Sequence, residues 1–131
     1  MNLELLEKAF LNYVADCCDL VVDKTVFRSE IPTAQGEGTA VIFNGIDKQN
    51  AYDMTAYKFQ VLCRGKQRSD ILSMYQILTE YVPCYGFDID NIRLVAVNLD
   101  GTGGIYKTSH NGRQYWAASV NYYVLASQIN S

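Results

Sequence analysis

One stretch decides the fold, residues 57–83, which read YKFQVLCRGKQRSDILSMYQILTEYVP. Its first part alternates with the two-residue period of a half-buried strand, the apolar side being Tyr57, Phe59, Val61 and Cys63. Its second part has the spacing of an amphipathic helix, the apolar side being Ile71, Met74, Tyr75, Leu78 and Val82. Ser69 can cap this helix, and Pro83 disfavours helical geometry in the residue before it. The stretch therefore predicts a strand from Tyr52 to Arg64 and then a helix that ends near Val82.

The sequence before this stretch predicts one helix followed by short extended segments. Apolar residues recur at helical spacing over residues 3–14, and Asn2 is placed to cap that helix. The segments that follow are predicted as β-branched strands at 20–22 and 25–27, a loop at 29–38, a strand at 39–44, a turn at Asn44-Gly45 and a polar connection at 46–51.

The sequence after residue 83 predicts two further strands. Residues 92–99 form a nearly continuous apolar run, and residues 112–126 alternate, with Trp116 on the apolar side. Residues 86–91 predict a solvated loop, and the glycine-rich residues 100–104 predict a hairpin loop. The whole chain, residues 1–131, is thus expected to form a single α+β domain, with an antiparallel or mixed sheet and two helices packed on one face. The expected core contains Phe59, Val61, Leu78, Val95 and Trp116.

Composition and length are those of one globular domain. The 131 residues are 49% hydrophobic and 19% charged, which is sufficient for one core and far from disorder. The chain has no run of about 18 apolar residues and lacks the basic start of a signal peptide, so we expect a protein that remains where it is made. Its net charge of −3 argues against nucleic acid as the main partner.

Residues that could carry chemistry are few and scattered. The four cysteines at positions 17, 18, 63 and 84 have no C-x-x-C spacing and are expected to be free thiols in a reducing compartment. The single histidine, His110, adjoins a predicted turn, and residues 100–104 do not open a helix as a phosphate loop would. Asp88 and Asp90 lack the further oxygen ligands of a calcium loop. The sequence therefore predicts no catalytic residue, cofactor or metal, and an enzyme is not expected.

Two features favour contacts with other proteins. Arg64, Lys66 and Arg68 form a basic cluster between the central strand and the second helix, and arginine is frequent at interfaces because its planar group pairs with carboxylates. The cluster is equally consistent with a solvated strand end. Ten tyrosines are also present, a residue type that suits both sheet faces and subunit contacts.

The central stretch resembles the tail-terminator and minor capsid (neck) proteins of tailed bacteriophages. The resemblance lies in the strand Phe59-Gln60-Val61, followed by Arg64-Gly65, the polar bridge Ser69-Asp70 and the helix up to Leu78. Residues 26–32, VFRSEIP, are similar to the early strand and loop of that family, so the likeness covers roughly residues 1–82. Ile71 stands where the family commonly has alanine.

The resemblance implies a structural protein rather than an enzyme. It implies a ring, usually of six copies, that terminates the tail tube. The ring would contact the tail-tube protein and the head-completion proteins. The protein is expected in the virion and, during assembly, in the cytoplasm of a bacterial host. No cofactor, membrane or sequence-specific nucleic acid is implied. The alternatives are a small cytosolic ligand- or peptide-binding module and a head-side adaptor of similar fold. For a ring, the expected subunit interface joins Arg64, Lys66 and Arg68 of one copy to the acidic loop bearing Glu30 and Glu37 of the next.

Overall fold

The computed structural model describes residues 1–49 and 54–129. Its helices are α1 (Leu3–Cys18) and α2 (Arg68–Glu80). Its strands are β1 (Val26–Arg28), β2 (Gly38–Gln49), β3 (Met54–Gly65), β4 (Cys84–Ile89), β5 (Ile92–His110) and β6 (Arg113–Gln128). Tyr52, the predicted first residue of the central strand, lies outside the described residues.

The strands form one six-stranded mixed sheet in the order β1-β2-β3-β6-β5-β4. β1 runs parallel to β2, and every other neighbouring pair is antiparallel. α1 contacts β1, β2, β4 and β5, while α2 contacts β3, β5 and β6. Both helices share one apolar core with alternate residues of the central strands, so they cover the same face. The predicted α+β class is confirmed.

The core lies between this helical layer and the sheet. Phe59, Val61 and Leu78 are almost fully buried, as predicted. Val95 was wrongly placed in the core, since a bulge between Leu94 and Ala96 leaves it without a partner in the ladder and 36% exposed. Trp116 does lie on the helical side, but it is only half-buried and packs against the margin of the core.

The helix ends are satisfied in different ways. Asn2 caps α1 as predicted, because its side-chain oxygen accepts from the backbone N–H of Leu5 at 3.2 Å. Ser69 does not cap α2, which begins one residue earlier and has Gln67 at the capping position without a side-chain hydrogen bond. The Tyr122 hydroxyl donates to the carbonyl of Leu78 in the last turn of α2, which supplies one of the partners that helix carbonyls lack there.

Two strands continue where the sequence predicted turns. β2 passes through Asn44-Gly45, with a bulge between Phe43 and Gly45, and includes residues 46–49 of the predicted polar connection. β5 passes through the glycine-rich residues 100–104, with register shifts between Leu99 and Gly104, so that these glycines are bulges and not a hairpin loop. In both cases a long neighbouring strand supplies hydrogen-bond partners that outweigh local turn preference.

A strand was also missed. Residues 84–89, predicted partly as a loop, form β4, which among the described strands pairs only with β5 and is an edge of the sheet. Its two-residue connection to β5, Asp90-Asn91, has positive φ at both positions, which is the geometry of a tight hairpin turn. Among the extended segments predicted earlier, residues 20–22 form no strand, and Val22 makes only an isolated bridge to Val26.

The face of the sheet away from the helices has no second layer of secondary structure among the described residues. The predicted loop before β2 crosses part of this open face. It buries Ile31, and a Cβ on Gly36 would collide with the Tyr115 hydroxyl, which shows how closely the loop backbone approaches β6. No helix in the described ranges is long and apolar enough to cross a membrane.

Candidate assembly surface

The basic cluster predicted from the sequence lies where β3 ends and α2 begins. Arg64 pairs with Ala117 of β6, and Gly65 pairs with Trp116, so the cluster lies beside the start of β6. Lys66 and Arg68 are exposed, whereas Arg64 is half-buried on the open face. The three side chains therefore share one end of the sheet but differ in their surroundings.

Arg64 is held by contacts within the chain. Its Nε donates to the carbonyl oxygen of Gly36 in the loop that crosses the open face. Its guanidinium carbon lies 5.8 Å from the centre of the Tyr115 ring, within the range of a cation–π contact. Because one contact is with the loop and the other with β6, Arg64 holds the loop against the sheet, a structural role that the sequence did not predict.

Arg68 and Lys107 lie against the same indole ring. The Arg68 guanidinium carbon is 5.6 Å, and the Lys107 Nζ 5.2 Å, from the centre of the Trp116 ring. Such contacts contribute about 0.5–1 kcal/mol each at exposed sites. They keep two cations close together at this end of the sheet, where Lys107 pairs with Trp116 across the β5–β6 ladder.

The acidic side of the predicted interface lies at the same end of the same chain. The Glu37 carboxylate accepts from the backbone N–H of Lys66 at 3.0 Å. Glu30 and Arg64 line one shallow cleft on the open face. Within one chain, Glu30 and Glu37 thus lie at the same end of the sheet as the basic cluster, and their predicted contact with the basic cluster of the next copy stays a prediction. All five predicted residues belong to one mixed surface.

That surface includes residues that the sequence analysis did not group with it. The β5–β6 turn at Asn111-Gly112 brings His110 and Arg113 beside Lys66. His110 Nε2 lies 2.8 Å from the carbonyl oxygen of Thr33, and since a carbonyl only accepts, this nitrogen carries the proton. Asn111 Nδ2 donates to the same oxygen at 3.3 Å. The Asn-Gly turn signal was present in the sequence, but it could not place the turn against a loop some 77 residues earlier in the chain.

We use the name basic end for Arg64, Lys66, Arg68, Lys107 and Arg113 together. They are five of the eleven lysines and arginines of the chain. Their acidic neighbours along the same clefts are three, Glu30, Glu37 and Asp70. The basic end is therefore net positive in a chain whose formal charge is −3.

A second exposed surface follows the edge strand β4. Tyr85 is 81% exposed, and Tyr81, which precedes the strand, is 65% exposed. Phe87 is partly covered by Tyr13, with ring centres 5.1 Å apart, and Leu99 on the neighbouring strand is 42% exposed. We call these four residues, with the free side of β4, the apolar edge. Its aromatic side chains lie next to backbone groups of β4 that no other described strand pairs with.

The groups that could carry chemistry are dispersed. Within the described residues, no three His, Cys, Asp or Glu side chains are close enough together to hold a metal ion. Cys18 and Cys63 are buried, and burial raises the pKa of their thiols to about 12 and about 11. Such thiols are poor nucleophiles near neutral pH, because the thiolate is the reactive form.

Similarity to known proteins adds nothing to these assignments. The sequence matches no protein-family model and no curated protein.

Proposed function

We propose that the protein is a structural assembly protein of a tailed phage or prophage, which forms a ring that terminates the tail tube and joins it to the head-completion proteins. The observation that carries this proposal is the apolar edge, a sheet edge with two exposed aromatic side chains and a single charged residue, Asp88. The choice of a tail terminator among assembly proteins rests on the resemblance of residues 57–78.

The apolar edge is suited to a contact between subunits. Tyrosine contributes a large apolar area and a polar tip with little loss of conformational freedom, and it is enriched in the buried centres of interfaces. Tyr85 lies on the open face, where its hydroxyl is 3.4 Å from Asn98 Oδ1, and Phe87 packs against Tyr13 on the helical face, so the aromatic side chains flank the edge on both sides. A polar margin around exposed apolar side chains is typical of interaction sites. The salt bridge between Asp88 and Arg93, with 2.8 Å between Oδ1 and Nε, provides such a polar margin.

The two edge strands of the sheet differ in length and side chains, which favours a ring over a symmetric dimer. One edge is the six-residue β4 with its aromatic side chains, and the other is the three-residue β1. A contact that joins two different patches is heterologous, and it closes into a ring when the rotation between copies divides a full turn. Six copies are the number that the resemblance implies.

The test is sedimentation velocity of the purified protein over a wide concentration range, alone and with the tail-tube protein. We expect a concentration-dependent series that ends in a closed ring of about six copies. Tyr85→Lys should shift this series toward the monomer, because it places a charge in the centre of the contact. Leu72→Lys is the matched control, since Leu72 is 46% exposed on α2, away from the apolar edge. That variant should assemble like the parent.

A parent protein that stays monomeric at every concentration, and that the tail-tube protein does not recruit, would refute the proposal. A monomeric, folded protein of this kind would instead favour the binding-module alternative. A ring that binds a head protein but not the tube would favour the head-side adaptor.

A further inference from the structure

A polar cleft lies at the basic end, between the loop that crosses the open face and the tip of the β5–β6 hairpin. It has a volume of about 340 Å³. One side of the cleft is lined by the charged and aromatic side chains of Lys66, His110, Arg113 and Tyr115. The other side is the loop segment Thr33–Gly36. None of the residues that line it is acidic.

Two backbone carbonyls of the lining already accept hydrogen bonds from side chains of the chain. The Thr33 carbonyl accepts from both His110 and Asn111, and the Gly36 carbonyl accepts from Arg64. These bonds also fix the loop against the hairpin, so the cleft is built by three separate segments of the chain. Among the described residues, neither Lys66 nor Arg113 takes part in a salt bridge. The charged groups of the cleft are thus two cations without a carboxylate partner in the described residues.

Glu37 is the nearest countercharge, and its carboxylate is directed to the backbone N–H of Lys66 at 3.0 Å. It is not part of the lining. The lysine and arginine side chains therefore retain their capacity to pair with an incoming carboxylate, which arginine can bind through two parallel hydrogen bonds.

We infer that this cleft receives a carboxylate-bearing segment of a second copy of the chain, and so forms one side of the ring contact. The inference rests on the proposed function for the identity of the partner. The distribution of charge favours a second copy of the chain over nucleic acid as the partner. The basic end contains five cations, whereas the chain as a whole carries −3, so the rest of its surface is acidic and can pair with the basic end of another copy. One acidic feature, the Asp90-Asn91 turn, lies at the opposite end of β5 from the cleft, as a head-to-tail contact requires.

The test combines binding and assembly. The probes are a blocked tri-glutamate peptide and a DNA duplex, each titrated into the parent protein and into Lys66→Gln/Arg113→Gln. We expect the peptide to bind the parent and to bind the double variant at least about tenfold more weakly, since two charge-assisted contacts are lost. Lys8→Gln/Lys58→Gln removes the same charge far from the cleft and should bind like the parent.

The same variants are then examined by sedimentation velocity, with circular dichroism and the thermal midpoint as checks of folding. We expect the cleft variant to remain folded and to lose the ring. If it forms rings as the parent does while Tyr85→Lys does not, the cleft inference is wrong and the proposed function stands. If the parent never forms a ring, the proposed function fails and the second copy is excluded as occupant, whether or not the peptide binds. DNA that displaces the peptide from the parent would overturn the carboxylate assignment.

Discussion

The hydroxyl groups of two buried tyrosines are bound to carbonyls at the end of α2. Tyr122 donates to the carbonyl of Leu78, and Tyr13 donates to that of Val82 just beyond the helix. Both rings belong to the core. Each tyrosine therefore links a packed apolar ring to a buried backbone carbonyl, which for Leu78 is one of the carbonyls that a helix end leaves unpaired.

Tyr122→Phe should lower the free energy of unfolding by about 1–3 kcal/mol, because it leaves a buried carbonyl without its donor while preserving the ring. The measurement is the free energy of unfolding in urea. The slope of that free energy against urea concentration should stay the same, which checks that the compactness of the two states is unchanged. Tyr123→Phe is the matched control, since that neighbouring residue is half-buried on the open face. Equal losses in the two variants would contradict the assigned role.

Cys63 should make stability sensitive to alkaline pH. Burial is the main reason that the pKa of its thiol rises from 9.0 to about 11 in the folded protein. A pKa raised by folding favours the neutral thiol, so this contribution is complete below about pH 9 and is lost as pH rises from 9 to 11. The loss from this residue amounts to about 2–3 kcal/mol at most. Unfolding measured at pH 8 and pH 10.5 should show a smaller decline in Cys63→Ala than in the parent.

The thiols should also differ in reactivity. Cys17 and Cys84 are half-buried, whereas Cys18 and Cys63 are buried, and all four are free in the structure. Thiol titration of the native protein without reductant should therefore detect the first two before the others. Denatured protein should show four reactive groups per chain. Two or fewer after denaturation would mean that disulfides form and that the expected reducing compartment is wrong.

At the scale of the element, the cap of α1 can be tested directly. Asn2→Ala removes the acceptor for the Leu5 N–H and should cost about 1 kcal/mol, while Asn2→Asp should cost little because it retains an oxygen in the same place. Thermal unfolding of the two variants compares them. A loss of the same size in both would show that the side-chain bond contributes nothing to the helix.

Sequence periodicity predicted the elements that carry a strong period of their own. The strand that contains Phe59 and Val61 and the helix that contains Leu78 could be found because each buries one regular face. β4 could not, because glycine and aspartate weaken its local preference and it exists only through pairing with β5. Part of the candidate site could be predicted, since Arg64, Lys66 and Arg68 are close together in the sequence. His110 and Arg113 could not be assigned to it, because only the pairing of the strands brings them beside Lys66.

At the scale of the whole molecule, the two exposed surfaces should respond differently to salt. Contacts between exposed charges are screened within about 10 Å at 0.1 M salt, whereas burial of aromatic side chains is not weakened in this way. If both surfaces contribute to the ring, raising salt from about 0.05 to about 0.5 M should shift assembly toward smaller species without abolishing it. Sedimentation velocity at the two salt concentrations measures this. A ring indifferent to salt would leave the apolar edge as the main contact.

The bulges of β5 also determine where the chain can change length. β5 holds extra residues at Val95, between Leu99 and Thr102, and at Gly103, and the pairs on either side of each remain in order. Deleting Gly103 would therefore leave Gly104 opposite Ser119 and every later pair intact, at the expense of the local bend. Deleting Thr108 instead would displace His110 from Arg113 and reverse the faces of the residues around it. Insertions and deletions in related sequences should accordingly concentrate at the two positions between Leu99 and Gly104. They should avoid Val95, because the β4–β5 ladder runs past it without a register shift.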